Sequence, residues 1–110
     1  MSKCQSVVTE YTEICALCAR SRDGWHHLIF GNGLRELAEK DLIKIPICHR
    51  CHNMAPHLSE QIHENVVAEA LSKMLGQMAW EKDYYRKKLP ETDTDEAREA
   101  FRKRYGISYL

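Results

Sequence analysis

The sequence predicts a small α+β domain built on a zinc site, with helices added on its C-terminal side. Three observations predict it. Two Cys-x-x-Cys pairs, Cys15/Cys18 and Cys48/Cys51, stand 29 residues apart. The stretch between them reads as strand, helix, strand. The residues after them carry helical periodicity with clear stop signals. A chain of 110 residues is expected to form one domain, residues 1–110, with its core at about 15–57 and a helical part at about 60–110. Some 44% of residues are apolar, enough for a modest core. A structural metal helps a core of this size hold together.

The cysteines come first. There are five, and an odd count with two Cys-x-x-Cys pairs fits a metal site better than a disulfide framework. Four thiolates hold a structural Zn²⁺ tetrahedrally at about 2.3 Å each. Such a site contributes on the order of 10 kcal/mol to folding. It also suits a reducing compartment. Cys4 is left without a partner and reads as a free or buried thiol.

The elements follow in order. Val7-Val8-Thr9 is a short strand or an extended arm. Cys15–Cys18 forms a tight knuckle, followed by a polar turn over residues 20–24. Trp25–Phe30 is β-prone. Neighbours on a strand point to opposite faces, so His26 and His27 share one spot only if the strand distorts or ends there. Gly31-Asn32-Gly33 breaks the strand. Residues 34–41 form a short helix with Leu34, Leu37 and Ala38 on one face. Residues 42–47 form a second strand, with Ile43, Ile45 and Ile47 on one side and Pro46 marking an edge. The second knuckle follows. From about 60 to 89 runs the longest helical pattern, with Val67, Leu71, Met74, Leu75, Met78 and Lys82 at three- and four-residue steps and Tyr85 and Leu89 continuing the stripe. Gly76 weakens it slightly and Pro90 ends it. Thr92 or Asp93 caps a last helix, which stops at Gly106. The C-terminal helices are expected to pack on the metal core.

Charge and hydropathy exclude some classes. Sixteen basic and sixteen acidic residues balance, which argues against a general polycation but leaves room for a local basic face. The first residues lack an apolar core of signal-peptide length, and no stretch approaches the ~20 apolar residues of a membrane span. A soluble, cytoplasmic protein without a membrane partner is expected.

With four cysteines on zinc, the histidines are free for other chemistry. His26-His27-Leu28-Ile29-Phe30-Gly31 precedes the second knuckle, and His52 directly follows its last cysteine. This arrangement resembles the HNH endonuclease family, the ββα-metal or His-Me finger nucleases, and in particular its small phage and prophage branch. The resemblance covers residues 15–57, and the ending of the chain, residues 101–110, is similar to the tail of such phage proteins. It implies a ββα-metal, treble-clef-like core with added C-terminal helices. It also implies a metal-dependent endonuclease hydrolysing DNA phosphodiester bonds, and a bacterial or prophage setting. By the resemblance, His27 is the general base. His26 stands where a metal ligand, commonly Asp, precedes it, and His52 is the other ligand. Asn32 is the candidate for the middle Asn that orients the base, although aligning the following helix puts Leu34 there.

The chemistry supports these roles. A neutral imidazole near pKa 6.5 takes a proton from water at physiological pH. One divalent cation polarises the phosphate and stabilises the leaving oxygen. Of Mg²⁺, Mn²⁺, Ni²⁺ and Zn²⁺, imidazole ligands favour the transition metals over magnesium. Asn53, His57 and His63 are additional candidates. For Asn53 the competing reading is a helix cap, and for the two histidines a surface or packing role. Arg20, Arg22 and Arg50 are candidate phosphate contacts. The basic runs 86–88 and 102–104 read either as DNA contacts or as solvated helix ends. Double-stranded DNA is the expected partner. A double cut needs two sites, from a homodimer or successive events, and phage packaging or recombination partners also fit. The main alternative is a non-catalytic zinc module binding nucleic acid or protein. It would have no need of His26, His27 and His52 together.

Overall fold

A computed structural model describes residues 4–110 of the chain. Its elements are β1 (Gly24–His27), α1 (Leu34–Asp41), β2 (Lys44–Ile47), a short π-helical turn (Arg50–Met54), one turn of 3₁₀ helix (Leu58–Glu60), α2 (Val66–Lys88) and α3 (Thr94–Tyr105). β1 and β2 form a two-stranded antiparallel sheet, with Gly24 opposite Ile47 and His27 opposite Lys44.

Both strands are shorter than the β-prone runs that encode them. Leu28 N–H still bonds Ile43 O at 3.1 Å. Beyond it the chain turns through Gly31 and Gly33, at φ 111° and 78°, where glycine carries no Cβ penalty. Pro46 has no N–H to give, but its carbonyl accepts the Ala16 N–H at 2.9 Å. The first knuckle therefore docks on the outer side of β2. The arm at Val7 and Val8 packs on the core without forming a strand, and Val7 N–H bonds Leu42 O at 3.0 Å.

The interior has two parts. Leu28, Ile29, Ala38, Ile43, Ile45, Phe101 and Tyr105 form the larger cluster. Ile47 and Ile62 join Cys15, Cys48 and Cys51 in the smaller one. β2 thus links the apolar core to the cysteines. Asp41, at the end of α1, ties the helices together. Its carboxylate accepts from Trp80 Nε1 (3.0 Å) on α2, and from Arg104 Nε (2.6 Å) and Tyr105 Oη (2.8 Å) on α3.

α2 packs against the end of β1, and not through its apolar stripe. Ser72, Gly76 and Gln77 face inward, while Val67, Leu71, Met74, Leu75 and Met78 face solvent. The physical reason is closeness. A Cβ on Gly76 would lie 2.8 Å from Ile29 Cγ1 and 2.9 Å from Leu28 Cβ, so only glycine admits this approach. The end of β1 also needs polar partners, which Ser72 supplies. The helix begins at Val66, later than its periodicity suggests, with the Asn65 side chain capping Ala68 N–H at 3.2 Å. Asp93 caps α3 through Glu96 N–H at 2.8 Å, and Gly106 closes it at φ 84°.

Candidate metal centres

Cys15, Cys18, Cys48 and Cys51 come together with their sulfurs all within 4.8 Å of one another. The first knuckle closes on itself through Ala19 N–H to Cys15 O (2.9 Å), with Ala19 in the left-handed region. The second forms at the entry to the π-helical turn. The Cys18 and Cys48 sulfurs are 3.5 Å apart. Tetrahedral Zn–S bonds of about 2.3 Å place sulfurs about 3.8 Å apart, so the donor set fits that ion. The electrostatics point the same way. Burial raises the Cys15 thiol, but backbone N–H groups of Cys48, Leu17 and Cys18 outweigh it and bring the pKa down to about 7. Burial and the three neighbouring sulfurs push Cys51 well up. Together the four sulfurs could hold a divalent metal such as zinc, which would stabilise their thiolate forms.

A second cluster adjoins the first along the second knuckle. His26, His52 and His63 each offer a ring nitrogen within 4.8 Å of the others. His26 comes from β1 and is fully buried. His52 comes from the π-helical turn. His63 arrives on the loop before α2, where Ile62 N–H bonds Cys51 O (2.9 Å) and His63 N–H bonds His52 O (3.0 Å). Gln61 fixes that loop, accepting from Ala55 N–H at 3.0 Å and donating to His63 O at 2.7 Å.

Hydrogen bonding assigns the free nitrogens. Ser72 Oγ donates to Leu28 O at 2.8 Å, so its remaining capacity toward His26 Nε2, also 2.8 Å away, is to accept. His26 therefore carries its proton on Nε2. Its Nδ1 is buried and has no hydrogen-bond partner among the described residues. Likewise, His63 Nδ1 lies 3.2 Å from Glu69 Oε2, an acceptor, which leaves Nε2 free. Metal-bound histidines characteristically have the second nitrogen held in this way. Burial, followed by the neighbouring His52, His63 and His27, lowers the His26 pKa to about 3. Burial also lowers that of His52, helped by His63, His49, His27 and Arg35. Both rings are thus neutral at pH 7, the form that binds metal.

No family model, curated protein or solved structure matches the chain.

The remaining candidates fall in different places. His27 is buried but lies outside the cluster. It turns to the α1 side of β1, where its Nε2 meets Glu39 Oε1 at 2.7 Å, and Lys44 Nζ holds Glu39 Oε2 at 2.8 Å. Hydrogen bonds from Lys44 and His27 hold the Glu39 carboxyl below its ordinary range. Asn32 is exposed in the turn after β1, and Leu34 is half-buried at the start of α1. Asn53 and His57 are exposed, and the π-helical turn that contains Asn53 has no side-chain cap. Arg20 is exposed. Arg22 lies over the Trp25 ring at 4.8 Å. Arg50 is paired with Glu60. In the basic runs, Arg86 and Lys87 pair with Asp83, Arg102 with Glu99, and Arg104 with Asp41. Sequence reasoning missed Ser72, Glu69 and Glu39. Ser72 alone left a signal, as a polar residue in line with Gly76 on the helix face opposite the apolar stripe.

Proposed function

We propose that the chain is a metal-dependent endonuclease that hydrolyses DNA phosphodiester bonds by a one-metal HNH mechanism. Its zinc-bound core would be of the ββα-metal, treble-clef-like kind. The observation that carries the reading is His26 Nδ1. Among the described residues it is a buried, unpartnered nitrogen beside two more histidines, with its other nitrogen already committed to Ser72. A group left that way costs stability unless something binds it. Three imidazoles supply one side of a coordination sphere and leave positions open for water and phosphate, as a catalytic site requires.

In this reading His26, His52 and His63 hold the divalent cation. An ion held there would supply charge neutralisation at the phosphate and at the leaving oxygen. His27 is the general base. Glu39 fixes its orientation and stabilises the imidazolium that forms once it takes the water's proton. Glu39 thus takes over the orienting work that the resemblance assigns to a middle Asn. Arg35, exposed on α1 beside His27 and Glu39, would be available to a phosphate.

A non-catalytic zinc module remains the rival, favoured by one observation: His27 is turned toward α1 and engaged by Glu39. A nicking assay on supercoiled plasmid separates the two. It compares wild type, His27→Ala and His26→Ala in EDTA, Mg²⁺, Mn²⁺ and Ni²⁺, with zinc content measured in each. The nuclease reading expects metal-dependent nicking, lost in both variants while the cysteine-bound zinc stays. Zinc-loaded, folded wild type that cuts under no metal would leave the binding module standing. Equal cutting by wild type and His27→Ala would remove His27 from the mechanism.

A further inference from the structure

The apolar stripe of α2 has no partner among the described residues. Val67, Leu71, Met74, Leu75 and Met78 follow one another at steps of three and four, and are between 38% (Met74) and 68% (Val67) exposed. Ala70 lies among them and is exposed too. The stripe therefore carries no charge over about three helical turns, or roughly 17 Å. Amphipathic helices ordinarily turn such a stripe inward. Here the inward face is the other one, built from Ser72, Gly76 and Gln77.

We propose that this face is the interface of a homodimer, with α2 of two copies packed antiparallel about a two-fold axis near the middle of the stripe. The stripe is self-complementary in that arrangement. Leu71 of each copy faces Met74 of the other, and Val67 faces Met78. The charges also agree with it. Glu64 precedes the stripe and Lys82 follows it; both are exposed, and neither forms an ion pair within the chain among the described residues. Antiparallel packing brings Glu64 of each copy toward Lys82 of the other, twice by symmetry. Parallel packing would set like charges together. The helix dipoles oppose favourably in the same arrangement.

The area is adequate for a modest dimer. Five half-exposed side chains of this size offer on the order of 300 Å² of apolar surface per copy. An interface about 60% apolar then totals roughly 1,000 Å², at the lower edge of specific association. Micromolar affinity is the expectation. The arrangement does not depend on the chemistry of the histidine site, which lies on the opposite side of α2 through Ser72 and His26.

Sedimentation equilibrium of the zinc-loaded full chain across about 1–100 µM tests the proposal. Wild type is expected to pass from monomer to dimer over that range. Leu71→Glu is expected to weaken the dimer at least tenfold, with unchanged zinc content and far-UV circular dichroism. Glu64→Lys and Lys82→Glu are each expected to weaken it, and the double charge reversal to restore it toward wild type. Both of those sites are exposed, so they serve even if Leu71→Glu fails to fold. A wild type that stays monomeric throughout overturns the proposal. So does a dimer indifferent to Leu71→Glu, or a double reversal no stronger than the single ones.

Discussion

Replacing Gly76 by alanine should destabilise the protein, against the ordinary trend for a glycine inside a helix. On propensity alone the change gains about 1 kcal/mol. The structure reverses the sign. The new Cβ would stand 2.8 Å from Ile29 Cγ1, 2.9 Å from Leu28 Cβ and 3.2 Å from Ile29 Cδ1. Leu28 and Ile29 are both fully buried, and Leu28 Cβ is fixed to the backbone at the end of the sheet. α2 must therefore move outward by several tenths of an ångström. That shift would stretch the 2.8 Å bonds from Ser72 to Leu28 O and to His26. Overpacking of this kind costs about 1–3 kcal/mol, and lost Ser72 bonds about 1 kcal/mol more. The net expectation is about 1–3 kcal/mol of destabilisation. A melt followed by circular dichroism should show Tm lower by roughly 5–15 °C at fixed zinc. A Tm that rises would mean α2 does not approach Leu28 and Ile29 this closely, and the packing argument would fall.

Three further outcomes follow from the same contacts. Removing metal with a strong chelator should unfold the 15–57 core, because four clustered thiols replace a bound cation; unchanged near-UV circular dichroism after complete zinc loss would contradict this. Asp41→Ala should cost about 2–4 kcal/mol in urea unfolding, since it strands Trp80 Nε1, Tyr105 Oη and Arg104 together, while Arg104→Gln should cost much less, its side chain being 38% exposed; a loss below about 0.5 kcal/mol for Asp41→Ala would remove it as the tie between helices. Stability should also fall as pH drops below about 6.5, because the unfolded chain protonates His26 there while the folded chain resists down to about 3. His26 contributes up to about 1.4 kcal/mol per pH unit to that slope, which should be missing in His26→Gln; parallel pH profiles for the two proteins would argue against a neutral buried ring.

Much of the fold was legible in the sequence, because it is encoded locally. The Cys-x-x-Cys spacing brings each sulfur pair to one point within a single turn. Gly33, Asp93 and Gly106 act on the backbone within a few residues, so they began or ended helices where expected. Strand alternation also foretold that His26 and His27 would part, and they do, one toward α2 and the other toward α1. Tertiary structure decided the rest. His63 joins His26 and His52 only because a loop is pinned against the second knuckle, a contact that no spacing rule carries. Glu39 finds His27 across 12 residues, and Ser72 finds His26 across 46. The orientation of α2 is the clearest case. Periodicity reveals that a helix has an apolar face, but not what covers it. Here the closest approach belongs to Gly76 and Ser72, since a small side chain and a hydroxyl fit the end of β1 better than leucine or methionine.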